Sequence, residues 1–260
     1  MGQRRAAAAV VAAVVAAAVT GLQTVAATPR DAATTTTSAG TYAVVPRAAT
    51  PPAALRGGAA PPVNVTLYSE SLCPDCIHFI TGVWWSVYST PDVAAIITWN
   101  QVVFGNAQIV SNTSITCQHG ATECKDNIAQ SCAQHVSGGN VSAWLPFIHC
   151  METHGSNQAA FAKTCAAAAG IDITALDACW NGAEGLALQM AAGAATAALQ
   201  PPHQFVPWVT LNDTPGTFCS DSDCDNFLAA VCAAYTGTPP ASCKALAAAA
   251  AAAESDAAAA

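Results

Sequence analysis

The sequence predicts an α/β fold. Three observations predict it: an alternating β-branched segment at 63–68 runs into a Cys-x-x-Cys pair that opens a helix; a second apolar strand follows at 96–104; and strand character returns around a proline at 205–211, after a long helical stretch. Val63-Asn64-Val65-Thr66-Leu67-Tyr68 carries its apolar residues at every second position, the period of a half-buried strand. Ser69 to Leu72 is a short loop, and Cys73 to about Tyr88 reads as a helix with Pro74 in its first turn. Ile96, Ile97, Val102 and Val103 are the apolar members of the second strand, which Gly105-Asn106 ends. From Gly120 to Leu199 the composition is mostly helical, broken at Gly138-Gly139-Asn140, Gly155, Gly170 and Asn181-Gly182. Phe205 to Leu211 is the returning strand, and a last helix is expected from Asp223 to Tyr235 with Asp221 or Ser222 as its N-cap.

Strand, dithiol, helix, strand, helical stretch, Pro-containing strand, helix is the order of a thioredoxin-like α/β fold. The helical, cysteine-rich stretch is then an insertion, held by disulfides, between the second strand and the Pro strand. No internal repeat is present.

Outside that domain, composition assigns the rest of the chain. Gln3-Arg4-Arg5 followed by an Ala/Val run from Ala6 to Val19 and by Val25-Ala26-Ala27 has the layout of a secretory signal peptide over 1–27, too short and weakly apolar for a membrane anchor. Residues 28–62, rich in Thr, Ala and Pro, read as a disordered linker or pro-segment. The folded domain is 63–244, and 245–260 is a low-complexity alanine tail that extends a helix or frays. Charged residues are 9% of the 260, with a net charge of −8, which argues against nucleic-acid binding. No other stretch is long and bulky enough for stable membrane insertion. Twelve cysteines fit an oxidising compartment. Sequons at Asn112, Asn140 and Asn212 are candidate glycosylation sites, whereas the one at Asn64 falls inside a strand and is discounted.

The chemistry-bearing motif is Cys73-Pro74-Asp75-Cys76. At a helix start, unpaired amide N–H groups and the helix dipole favour a thiolate on Cys73, and Cys76 one turn later is within reach to close a disulfide. Cys73 is therefore the expected nucleophile and Cys76 the resolving thiol. Asp75 opposes thiolate formation at neutral pH and protonated His78 favours it, so activity is expected to survive acid. Half of a zinc ligand set and a purely structural cysteine pair are the competing readings. No second Cys-x-x-Cys follows to complete a zinc site, and no metal or organic cofactor is expected.

Cys117-Gln118-His119-Gly120-Ala121-Thr122-Glu123-Cys124-Lys125-Asp126-Asn127, followed by Cys132, resembles the signature C-Q-H-G-x-x-E-C-x-x-N-x-x-x-x-C of the gamma-interferon-inducible lysosomal thiol reductase family. Phe104-Gly105-Asn106-Ala107, Cys150-Met151-Glu152 and the stretch from Leu199 to Thr210 are similar to further family segments, so the resemblance covers about 63–243. It implies a thioredoxin-like fold with an inserted helical region, and reduction of protein disulfides in acidic compartments. Cys73 and Cys76 match the family's active-site pair, and Val206-Pro207 matches the cis-proline loop that meets an extended substrate. For Glu123, Asn127 and the signature cysteines, spread across an expected helix, structural roles are favoured over chemistry. His119 is either a proton donor near the dithiol or a satisfied structural histidine. Ten further cysteines allow five disulfides whose connectivity sequence does not fix. Cys232 and Cys243, by their family positions, are available to pair, as are Cys165 and Cys179, while Cys219 and Cys224 depart from the family pattern and suit a local bridge.

The function so read is reduction of disulfides in partly unfolded proteins, with electrons from a small thiol or another reductant. The location is the secretory pathway, ending in a lysosome or vacuole or outside the cell. The alternatives are a secreted oxidase or isomerase of the same chemistry, and a non-catalytic disulfide-stapled binding module.

Overall fold

The alternation at 63–68 becomes a central strand, β1 (Val63–Ser69), which buries Val63, Val65, Leu67 and Ser69 on one face. The computed structural model describes residues 60–216 and 226–259, so the expected signal over 1–27 and nearly all of the expected linker over 28–62 lie outside the described residues. A continuous helical segment follows β1: α1 (Pro74–Phe79), a π-helical turn (Ile80–Trp84) and α2 (Trp85–Tyr88). After α3 (Pro91–Ala94) the chain enters β2 (Ile97–Val103), which pairs in parallel with β1 from Val63↔Ile97 to Ser69↔Val103. Such a parallel pair needs the helical crossover that α1–α3 supply.

A small hairpin, β3 (Gln108–Ser111) and β4 (Ser114–Thr116), precedes the helical insertion. The insertion comprises α4 (Ala121–Val136), α5 (Val141–Glu152), α6 (Gln158–Ala168), α7 (Ile173–Trp180) and α8 (Ala183–Ala197). The chain then returns as β5 (Trp208–Leu211), antiparallel to β1 from Val65↔Leu211 to Tyr68↔Trp208, and turns into β6 (Thr214–Pro215). The turn residues Asn212 and Asp213 both have positive φ, 50° and 63°, as a two-residue hairpin turn that matches strand twist requires. Helices α9 (Phe227–Ala234) and α10 (Ala241–Ala259) complete the described chain.

The sheet order is β2-β1-β5-β6, with β1 and β2 parallel and β5 antiparallel to β1. A strand–helix–strand unit joined to an antiparallel hairpin in this order, with the dithiol at the first helix start, is a thioredoxin-like fold. Under the sheet, Trp84 meets Trp99 edge-on at 4.7 Å and stacks on Phe227 at 5.4 Å, with Phe79 against both Trp84 and Phe227. These rings tie the helical segment that follows the dithiol to β2 and to α9.

Several expectations are refined. The helix expected from Cys73 carries a π turn around Gly82. The hairpin β3–β4 has short, largely exposed strands and gives no alternating signal. The last helix begins after Asn226, and Asp221 and Ser222 fall outside the described residues. The alanine tail prolongs a helix that starts inside the domain. Among the described residues no helix is long and apolar enough to cross a membrane.

The suggested pairing of Cys165 with Cys179 is wrong. Successive helices α5 and α6 bring Cys150 and Cys165 to a Cα separation of 5.6 Å, while α4 packs against α7 and joins Cys132 to Cys179. Cys117–Cys124 and Cys232–Cys243 are the other disulfides among the described residues, and Cys219 and Cys224 lie outside them. Cys117 sits in the loop before α4, not on the helix. Of the sequons, Asn112 is exposed in the β3–β4 turn, Asn140 caps α5 by accepting the Ser142 N–H, and Asn212 accepts the Asn64 N–H. The Asn64 amide is itself bonded to Asp213 and Asn100.

Candidate active site

Strand β1 ends at Ser69, and the three-residue loop Glu70-Ser71-Leu72 delivers Cys73 to the N-cap of α1. There the Cys73 sulfur accepts the backbone N–H of Cys76 at 3.5 Å, in the place of a capping oxygen. Cys73 and Cys76 are free thiols, both buried. The Cys76 S–H hydrogen bond lowers the Cys73 thiol to about 6, with help from the backbone N–H groups of Cys76 and Asp75 and against burial and the Asp75 carboxylate. Burial pushes the Cys76 thiol well up, with the Cys73 charge and hydrogen bond adding to it. One thiol is thus held low and the other high, the division of labour that suits thiol–disulfide exchange.

Across from the sulfurs lies a cis peptide bond between Val206 and Pro207, and the Val206 carbonyl is 3.8 Å from Cys73 Sγ. Val206 and the two cysteines form a small apolar cluster of their own. The four residues singled out from the sequence, Cys73, Cys76, Val206 and Pro207, thus lie together in the fold. A second cis bond, Gln200–Pro201, was not foreseen.

Beneath the dithiol, the buried face of α4 is polar, with Glu123, Asp126, Asn127 and Gln130 at helical spacing. This explains the signature. Asn127 Oδ1 accepts the Ser71 N–H at 2.8 Å, and the Ser71 hydroxyl donates to the Glu123 carbonyl at 3.3 Å. Gln158 Nε2 donates to the Ser71 carbonyl and, at 2.9 Å, to Glu152, whose other oxygen accepts from Gln130 at 2.6 Å. Burial raises the Glu152 carboxyl well above the ordinary carboxylate range.

A second polar group flanks Cys73. The Asn106 N–H donates to Glu70 Oε2 at 2.7 Å, and His119 Nδ1 lies 3.6 Å from Glu70 Oε1 and in direct contact with Glu123 Oε2. Burial raises Glu70 to about 7. Burial works against His119 protonation, but the Glu123 hydrogen bond and charge, with Glu70 and Cys73, outweigh it and raise its pKa. The structure thus puts His119 in the field of Cys73, while His78 is exposed on the outer turn of α1. Glu70, Glu152, Gln130 and Gln158 were missed by sequence reasoning. The only signal for Glu70 was a charged residue between a strand and a Cys-x-x-Cys helix.

Two clusters among the described residues have donor atoms close enough for a metal ion: Cys150, His154 and Cys165, and Glu70, His119 and Glu123. The first is closed by its own disulfide. In the second, His119 Nδ1 is hydrogen-bonded to Glu123, an imidazole shared between carboxylates rather than an open ligand set.

Residues 64–169 match the family described as gamma interferon inducible lysosomal thiol reductase. An Arabidopsis thaliana protein named gamma-interferon-responsive lysosomal thiol protein is 35% identical over 67% of this chain and 72% of its own length. The chain belongs to the gamma-interferon-inducible lysosomal thiol reductase family. The reductase of that name from Carassius auratus is 33% identical over 71% of this chain and 73% of its own. Among solved structures, the MdbA protein of Corynebacterium diphtheriae, a thiol-disulfide oxidoreductase, aligns with a TM-score of 0.44 at 13% identity, covering 65% of this chain and 83% of that one. As a member of this thiol reductase family with a thioredoxin-like fold, the chain is a thiol oxidoreductase.

Proposed function

We propose that the chain reduces disulfide bonds in partly unfolded proteins, with Cys73 as nucleophile and Cys76 as resolving thiol, and that it does so in acid. The observation that carries this reading is the pairing of a lowered thiol at a helix start with a cis X-Pro bond whose carbonyl faces it. Cys73 attacks one substrate sulfur and forms a mixed disulfide. Cys76 then attacks Cys73 Sγ, frees the second substrate sulfur as a thiol and leaves the enzyme oxidised. Substrate backbone lies along the Val206–Pro207 edge, in the manner of strand addition. A small thiol or another reductant restores the dithiol, with no organic cofactor or metal.

The rival direction, oxidation, has one observation in its favour: a lowered Cys73 thiol stabilises the reduced enzyme and makes the couple more oxidising. That advantage exists only above about pH 6, where Cys73 is ionised. In a more acidic compartment it fades, and reduction of substrate is favoured. The relatives' names, which include the word lysosomal, support such a compartment, reached through a signal at 1–27 and a linker at 28–62 ahead of the 63–244 domain and its 245–260 tail. Asn112, Asn140 and Asn212, exposed on turns and a helix cap, are the proposed glycosylation sites.

Turnover of insulin-type disulfides from pH 4 to 8 tests the reading. Cys73→Ser and Cys76→Ser should each abolish it, and Cys76→Ser should accumulate mixed disulfides with substrate. Wild-type behaviour in both variants would sink the enzymatic role in favour of a stapled binding module, and a steep loss of wild-type rate below pH 6 would sink the acid assignment. A measured reduction potential for the Cys73/Cys76 couple fixes the direction.

A further inference from the structure

We propose that Glu70 is a proton-transfer residue of the exchange reaction, and that His119 and Glu123 are positioning residues that hold it and link it to solvent. This rests on the dithiol reading above. Glu70 is 1% exposed. Its Oε2 is fixed by the Asn106 N–H, while its Oε1 is buried and accepts no hydrogen bond. That oxygen has only His119 Nδ1 at 3.6 Å, beyond hydrogen-bond reach, so one side of an otherwise anchored carboxyl stays open at a cost in stability. The Glu70 carboxyl also feels the charge of Cys73, the first reacting sulfur, three residues further along the chain. Glu152, another buried carboxyl near the dithiol, has both oxygens occupied by Gln130 and Gln158 and lacks this freedom.

His119 closes the path to the outside. Its side chain is 32% exposed, its Nδ1 faces Glu70 and Glu123, and the Cys117–Cys124 disulfide closes the loop that carries it. The groups facing Glu70 are Cys73 at the start of α1, His119 from the loop before α4, Glu123 from α4 and the Asn106 N–H from the loop after β2. Cys73 is faced in addition by Asp75 and Cys76 of α1 and by Glu152 of α5. With burial raising it to about 7, Glu70 carries its proton in an acidic compartment.

The steps balance as follows. The Cys73 thiolate attacks a substrate disulfide, forming one S–S bond and breaking another, and the Glu70 carboxyl protonates the departing thiolate. The Glu70 carboxylate then takes the proton of Cys76, whose thiolate attacks Cys73 Sγ and expels the second substrate thiolate. That thiolate is protonated from solvent by way of His119. Two electrons leave the dithiol and one net proton enters from water.

Rapid mixing of reduced enzyme with a disulfide peptide separates the steps: mixed-disulfide formation alone in a Cys76→Ser background, and resolution with Cys76 present. Glu70→Gln should slow both steps about tenfold or more at pH 5, general acid–base help being worth at least that much, and should flatten the pH dependence between 5 and 8. His119→Gln should lose rate in dilute buffer and recover it as imidazole or another small proton carrier is added, a response that a structural role would not give. Because Glu70 is buried, His119→Gln decides the matter if Glu70→Gln does not fold. Folded variants with the wild-type pH profile, or a His119→Gln defect that no buffer concentration repairs, would overturn the relay alone. An inert wild-type enzyme would overturn the reductase reading and the relay with it.

Discussion

The side-chain carbonyl of Asn127 accepts the backbone N–H of Ser71 at 2.8 Å, joining the signature helix to the loop that carries Cys73 into place. The bond spans 56 residues of sequence and is buried. With the Ser71 hydroxyl on the Glu123 carbonyl and the Ser71 carbonyl on Gln158, every polar group of Ser71 is engaged by the insertion. The insertion therefore bears on the proposed active site, because it sets the backbone path two residues ahead of Cys73.

Removing that acceptor should be costly for function and stability together. Asn127→Ala leaves the Ser71 N–H buried and unbonded, a penalty of about 1–3 kcal/mol. Each kcal/mol corresponds to a fall in melting temperature of roughly 2–4 °C in a domain of this size. Calorimetry and insulin-type turnover on the same preparation check this. A variant with unchanged melting temperature and rate would mean that α4 does not hold the loop.

The Cys73 thiol should titrate near 6, read from thiolate absorbance in the reduced protein. Since the Cys76 S–H hydrogen bond is the largest cause of the lowering, Cys76→Ala should move the midpoint upward. Asp75→Asn should move it downward, because the Asp75 charge opposes the thiolate. Midpoints that do not respond to either change would place the cause of the lowering elsewhere.

How much of this was legible in the sequence follows from the range of each interaction. The β1 alternation and the Cys-x-x-Cys helix start are local patterns found where the structure has them, while the returning strand begins at Trp208, just after the proline expected within it. Family resemblance supplied the meaning of Val206-Pro207, since a cis bond leaves no periodicity. Glu70, Glu152 and Gln158 were not legible because their roles depend on partners such as Ser71, 87 residues from Gln158, that only the packed insertion brings close. The disulfide partners of Cys165 and Cys179 failed for the same reason: which helices pack side by side is decided by tertiary contacts, and spacing along the chain is silent about it. His119 was left between two readings because its neighbours Glu70 and Glu123 come from different elements.

Gly105 offers a test of how tightly Glu70 is seated. It has φ 58°, and a Cβ added there would lie 2.3 Å from Glu70 Oε2. Gly105→Ala should therefore combine backbone strain of about 1–3 kcal/mol with displacement of the carboxyl. Gly139→Ala, at φ 75° with nothing within 4 Å of the added carbon, isolates the strain. Denaturant midpoints should fall further for Gly105→Ala than for Gly139→Ala, and only the former should alter the pH dependence of turnover. Equal effects on both would show that the Glu70 contact contributes nothing beyond strain.

Stability should rise toward acid, because the fold holds protons that the unfolded chain releases. Burial raises Glu70 to about 7, Asp126 to about 6, and Glu152 well above its ordinary range, and both Asp126 oxygens lack a hydrogen-bond partner. A group whose folded pKa is raised contributes stability that is complete below its unfolded pKa and is lost as pH climbs through the folded one. For these carboxyls the loss falls between about pH 4.5 and 7 and beyond, and His119, also raised, adds to it above its ordinary pKa. His149 and His203, lowered by burial, act in the opposite direction as pH falls through theirs. Reduced Cys73, lowered to about 6, does so too, which is why the oxidised protein, where Cys73 does not titrate, gives the cleaner measurement. Its melting temperature should be higher at pH 5 than at pH 8 by on the order of 5 °C, and the double change Glu70→Gln with Asp126→Asn should narrow that difference to what Glu152 and His119 leave. A melting temperature that climbs steadily from pH 5 to 8 would mean that the histidines, not the buried carboxyls, govern the fold's response to acid.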